Sequence, residues 1–152
     1  MKKQAGFTLI ELVIVIIILG ILAVTAAPKF LNLQDDARTS TLKGVEGSLN
    51  SAGAMVYSKA VIAGKDTAPS ETLDVGNGVS VNIVYGYPKA TQADLEKVLE
   101  LSSGDWSFGT PVSSSIQIFP AGVSATTATE CFVTYTEASS GSLPTSEVTA
   151  CK

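Results

Sequence analysis

The chain has no histidine, one tryptophan and two cysteines among its 152 residues. Without histidine, neither a Ser-His-Asp nor a Cys-His nucleophile can be assembled. The two cysteines lie far apart with no histidine partners, so no zinc spacing exists. Charge is also sparse, at 16% of residues with a net charge of -4. The ten basic residues are scattered and only Lys2 and Lys3 are adjacent. A phosphate backbone needs clustered Lys and Arg, so nucleic acid is not expected as a partner. A polybasic membrane patch is missing for the same reason.

The remaining candidates for chemistry are weak. Asp35 and Asp36 adjoin on a helix, where their side chains diverge onto a solvated face. Asp74 near Asn77 supplies half a calcium loop, but too few oxygen ligands follow in phase. The glycines of Gly76-Asn77-Gly78 lack the strand-to-helix context of a phosphate cradle and read as a turn. Trp106, beside Asp105 and Phe108, could stack a sugar, yet a core aromatic is the stronger reading. Tyr85 and Tyr87 are read the same way. No enzyme activity, catalytic residue, metal or cofactor is expected.

What the sequence does have is one long apolar run, FTLIELVIVIIILGILAVTAA, from Phe7 to Ala27. As a helix it would span roughly 31 Å, against a bilayer core of about 30 Å. It is apolar on all faces, as a lipid-exposed helix should be. Lys2 and Lys3 precede it, which keeps the N-terminus cytoplasmic under the positive-inside rule and sends the residues after Pro28 across the membrane. A cleaved secretory signal ending near Ala26, a plain anchor and a buried core helix are the ordinary alternatives.

The length of the run weighs against a core helix, and Glu11 weighs against the other two. A carboxylate at a helix centre in lipid costs about 2.5–3.5 kcal/mol, and somewhat less near the interface. A secretory signal has no use for it, and an anchor tolerates it only with a partner. A cut after Gly6 would give Phe7 a free amine, four residues from Glu11 and on the same helix face. The two could pair within one subunit or between staggered neighbours. Losing one partner would strand a buried charge, so such a pair sets register more than it adds stability.

The stretch KKQAGFTLIELVIVI resembles the class III signal of type IV prepilins and pseudopilins. The resemblance implies a prepilin peptidase that cuts after Gly6 and methylates Phe7. It also implies a role for Glu11 in docking each subunit onto a growing filament. GILAVTAAPKFLNLQDDAR is similar to the mannose-sensitive haemagglutinin (MSHA) pilin subfamily, and the short leader and Pro28 fit type IVa pilins. The implied partners are further copies of the chain in a helical homopolymer, the inner membrane before assembly, the pilus assembly machinery and a carbohydrate receptor. The implied location is the inner membrane with the head in the periplasm, then an extracellular pilus that mediates adhesion. A type II secretion pseudopilin is the alternative within this class; major pseudopilins typically have a C-terminal calcium site and no C-terminal disulfide. A membrane-anchored or secreted binding domain is the alternative outside it.

The chain thus divides into a leader (1–6), a hydrophobic helix (7–27) and a head (28–152). Pro28 removes a backbone donor and Gly20 weakens the helix, so kinks are expected at both. Leu42, Val45, Leu49, Ala52 and Val56 recur at helical spacing, and Gly64 is the expected stop. Gly44, Gly47 and Gly53 weaken the helix in isolation, and either close packing against a sheet or a loose helix is their use. A polar connector is expected to about Gly78. A strand follows over Val79–Tyr85, and then a helix from Thr91, capped with Asp94, to Leu101, burying Leu95, Val98 and Leu99. Ser115–Phe119, Cys131–Thr136 and Val148–Cys151 read as strands. The fold class is α+β, a long N-terminal helix on an antiparallel sheet. Cys131 and Cys151 allow one pairing, expected as a disulfide in an oxidising compartment. It would bound a loop of about 20 residues and add roughly 3 kcal/mol.

Overall fold

The computed structural model of the protein describes residues 6–102, 104–126 and 128–152. One helix, α1 (Leu9–Ile62), runs 54 residues through both Gly20 and Pro28 with no break in its helical residues. Its end is a Schellman arrangement. Gly64 takes a left-handed φ of 66°, its N–H bonds to Val61 O, and Lys65 N–H bonds back to Ala60 O.

Two antiparallel sheets lie against the second half of α1. The first contains β1 (Glu71–Gly76), β2 (Val79–Val84) and β3 (Tyr87–Pro88) in that order. The second contains β4 (Trp106–Phe108), β5 (Ser115–Pro120), β6 (Phe132–Thr136) and β7 (Thr145–Thr149), also in sequence order. Between them sits α2 (Gln92–Val98). Asn77 and Gly78 join β1 to β2, both with positive φ, as a type I′ hairpin turn requires.

The helical stripe is shared between the sheets. Leu42, Val45 and Leu49 pack with Ile116, Ile118, Val133 and Tyr135 of the second sheet and with Leu95 and Leu99. Val56 and Ala60 pack with Leu73, Val81 and Ile83 of the first. The period-2 alternation of β2 puts Val81 and Ile83 inward and leaves Ser80 and Asn82 exposed.

Polar ties hold the layers in register. The buried Tyr135 hydroxyl donates to Pro88 O at 2.7 Å, and burial holds that phenol protonated well above the ordinary range. Ala90 N–H donates to the Glu137 carboxylate at 2.8 Å. Asp94 is buried yet fully engaged: Asn82 N–H donates to it at 2.9 Å and the Thr91 hydroxyl at 2.6 Å. The Cys131–Cys151 disulfide is formed, and Cys151 N–H donates to Thr39 Oγ1 at 3.0 Å, fastening the bridge to α1.

The structure corrects several boundaries. The expected connector up to Gly78 contains β1, whose single buried apolar residue, Leu73, gives too weak an alternation to read. The last strand is Thr145–Thr149 rather than Val148–Cys151, and its residues are mostly polar. The capped helix stops at Val98, short of Leu101. Of the two uses open to the glycines, the loose helix is the one found. A Cβ on Gly44 or Gly47 would meet nothing within 4 Å, and one on Gly53 would make only an ordinary contact with Tyr87 at 3.6 Å. They loosen α1 without admitting a close neighbour.

Two outcomes follow for stability. Gly47→Ala should raise it by about 0.5–1 kcal/mol, seen as a higher Tm, and a lower Tm would show a contact that the fold does not contain. Burial alone would raise the Asp94 carboxyl, but hydrogen bonds from Thr91 and Asn82, with Lys97 nearby, hold it below its ordinary value. Its stabilisation is complete above the unfolded pKa of about 3.9 and is lost as pH falls through the lower folded value. Asp94→Ala should cost about 1–3 kcal/mol near neutral pH and flatten the acid side of a stability–pH curve; an acid side as steep as that of the parent protein would contradict this.

Candidate functional site

Among the described residues, nothing covers the first half of α1. An 18-residue apolar window of mean hydropathy 3.0 is entirely unburied. Phe7 is 92% exposed and Leu9 80%. By length and composition this helix can cross a membrane. Water cannot be its resting environment, because uncovering so many Ile, Leu and Val side chains costs about 25 cal/mol per Å2. Lipid or other helices must cover it.

The entrance to this surface is organised by Thr8 and Glu11. Gly6 and Phe7 precede the helix outside any regular element, and Thr8, in extended conformation, is the N-cap. Glu11 N–H donates to the Thr8 hydroxyl oxygen at 3.3 Å. In return the Glu11 carboxylate accepts from Thr8 N–H at 2.8 Å and from Thr8 Oγ1 at 2.7 Å. This is a capping box, which satisfies orphan donors at the helix start. Glu11 therefore has a local partner before any amine at Phe7 is considered. Reading the sequence for a charge partner passed over Thr8, although T-x-x-E at 8–11 is the signature that marks it. A cut between Gly6 and Phe7 would leave both members of the box in place.

Other candidates fall into structural roles. Asp74 Oδ1 accepts from Gly76 N–H at 2.8 Å, so it shapes the β1–β2 turn. Trp106 and Phe108 are partly buried against the main core, as core aromatics. Tyr85 and Tyr87 depart from the core reading: both are half-buried and line an open cleft with Tyr57. Among the described residues, no group of three or more His, Cys, Asp and Glu side chains is gathered for a metal.

Residues 1–27 match the prokaryotic N-terminal methylation motif. The chain is 44% identical over 53 residues to a type IV narrow pilus major component of Thermus thermophilus, a stretch covering 35% of this chain and 46% of that one. It is 45% identical over 71 residues to a type IV major alpha-pilin of Moraxella bovis, covering 47% and 42% respectively. It is also 44% identical over 43 residues to the type II secretion system core protein G of Pseudomonas aeruginosa, covering 28% and 30%. The chain therefore spans less than half the length of these relatives. No solved structure matches it.

A methylation motif opening an exposed apolar helix, with a disulfide-closed head on the same helix, defines a pilin-like architecture. Over its N-terminal third to half, the chain is thus similar to type IV pilins and to a type II secretion core protein.

The capping box can be tested directly. Thr8→Ala should cost about 1 kcal/mol of helix stability, read as faster amide exchange over residues 9–12 in detergent micelles. Unchanged exchange would mean that the box does not hold the helix start.

Proposed function

We propose that the chain is the structural subunit of a type IV pilus of the MSHA kind, cut after Gly6 by a prepilin peptidase and methylated on Phe7. The observation that carries this reading is an uncovered apolar half-helix guarded at its entrance by a single carboxylate, Glu11. Before assembly, lipid covers that half-helix, with Lys2 and Lys3 on the cytoplasmic side and the head outside. On assembly, the same surface leaves the bilayer and packs on neighbouring helices through many small dispersion contacts. Glu11 then pairs with the Phe7 amine of a neighbour and fixes the axial stagger. The stretch from Gly20 to Pro28 is the part of the helix least costly to extend in the filament. The finished filament mediates adhesion to surfaces or cells.

A second reading, a pseudopilin of a type II secretion system, is favoured by the likeness to core protein G. The Cys131–Cys151 disulfide favours the pilin. Deleting the chain separates the two: loss of surface filaments with secretion intact supports the pilin, and the reverse supports the pseudopilin.

Terminal sequencing of the exported protein should give methylated Phe7, whereas a start at Ala27 would sink the proposal. Glu11→Val should leave the membrane-bound subunit at normal levels, since removing the carboxylate lowers the insertion cost by about 2.5–3.5 kcal/mol or less. Filament yield should nonetheless fall severely. Normal filaments from that variant would refute the pairing role.

A further inference from the structure

One face of α1 stands open beside α2. Two adjoining hollows there, of about 370 and 490 Å3, share Ala52, Met55 and Val98. Together they form a groove that follows α1 from Gly44 to Lys59. Its middle is apolar, with Met55 70% exposed. Its ends carry opposite charges. Glu100 lies at the end nearer the apolar half of α1, and Lys59 and Lys97 lie at the other. Each lysine spends a donor inside the head, Lys59 on Val75 O and Lys97 on Ser80 O at 2.7 Å. Lys97 also stands 3.8 Å from Asp94. An ammonium has three donors, so both lysines keep donors to offer. Glu100 is exposed, with no ion pair among the described residues.

The chain carries the matching pattern lower on α1. Lys29, Leu33 and Asp36 fall on one helix face, at i, i+4 and i+7, with Phe30 at its flank. All four are exposed, Leu33 at 62%. Along this segment the order is base, apolar, acid. Along the groove, read in the same direction, it is acid, apolar, base. The spacing also agrees. Lys29 to Asp36 rises about 10 Å. Ser51, which lines the groove with Glu100, stands the same rise below Ser58, which lines it with Lys59 and Lys97.

We propose that this groove receives the Lys29–Asp36 segment of a second copy of the chain, with the two α1 helices parallel. The neighbour's Leu33 then lies on Met55 and Val98, its Lys29 meets Glu100, and its Asp36 meets Lys59 and Lys97. Reversing the segment would set Lys29 against the two lysines and Asp36 against Glu100, so charge fixes the direction. Bringing residue 33 level with residue 55 shifts the neighbour by about 33 Å along the helix. That shift sets the neighbour's Thr39, where its disulfide is fastened, level with Val61, near the end of this α1. One head therefore begins where the other's helix ends. Segment and groove are different surfaces, so the contact is heterologous, and with an axial shift it repeats as an open filament. A Glu11–Phe7 pair needs a shift of only about 6 Å, so the two contacts join different neighbours. Both segment and groove lie beyond Pro28, and extension between Gly20 and Pro28 leaves their register intact. The inference rests on the filament reading and supplies it with a contact made by the head.

Both native cysteines are closed in the disulfide, so introduced thiols report cleanly. Leu33→Cys with Met55→Cys, oxidised in intact filaments, should give a ladder of covalent multimers on a non-reducing gel. Leu33→Cys with Val112→Cys, a pairing with a similarly exposed residue off the groove, should stay monomeric. A second arm needs no new cysteine. Glu100→Lys should cut filament yield about fivefold or more with head Tm unchanged, the scale of exchanging one exposed attraction for a repulsion. Adding Lys29→Glu should restore the yield. Filaments without a ladder from the Met55 pair, an equal ladder from the Val112 pair, covalent capture of a different protein by Met55→Cys, or no rescue by Lys29→Glu would each overturn the proposal. Electron microscopy of the parent cells scores filaments separately, so filaments without the ladder sink the contact and spare the pilus. Cells without filaments sink the pilus reading, and the same ladder in the membrane fraction then decides the contact.

Discussion

The contact between the apolar stripe of α1 and the two sheets carries the rest of the molecule. Leu42, Val45, Leu49, Val56 and Ala60 are all nearly inaccessible, and each belongs to one of the two clusters that make up the core. One sheet has three strands and the other four, and each buries its inner face on the same helix. Seating both on one stripe turns α1 into the common wall of the head. The helix is therefore stabilised over its second half by burial, which leaves its first half free to be chosen for an environment outside the chain.

That division explains what the sequence disclosed. The stripe was legible because apolar residues at helical spacing have one physical use, and Gly64 was legible because a left-handed stop favours glycine. The disulfide was legible because two cysteines have one pairing. The first strand was not, because Glu71, Thr72 and Asp74 are all exposed, Glu71 even on the face of Leu73, which leaves Leu73 as its main inward signal. The glycines of α1 left two readings open for a related reason: a missing side chain signals either close approach or looseness, and only the surroundings distinguish them.

At the candidate site the record is similarly divided. Glu11 stood out as an isolated charge in an apolar run, but Thr8, its partner in the folded chain, drew no attention because a threonine there is unremarkable by composition. The tyrosine cleft lay beyond sequence reasoning altogether. It joins the end of α1, the loop after it, the β2–β3 turn and the loop before β7, and no local pattern announces that these meet. Only the positive φ of Tyr85 marks the turn as unusual, and that is a property of the fold.

The free margins of the sheets have a consequence of their own. A strand margin with open N–H and C=O groups invites another strand, and such pairing ends in disordered aggregates. Here β3 has two residues and β4 three, too short to template anything. The longer margins, β1 and β7, display Glu71, Asp74 and Glu147, and β1 is further broken by a register shift between Asp74 and Gly76. A head made this way repels lateral strand pairing even when many copies are crowded together. In the proposed filament, self-association would then run through the helix, where it can be ordered, and not through the sheets, where it could not.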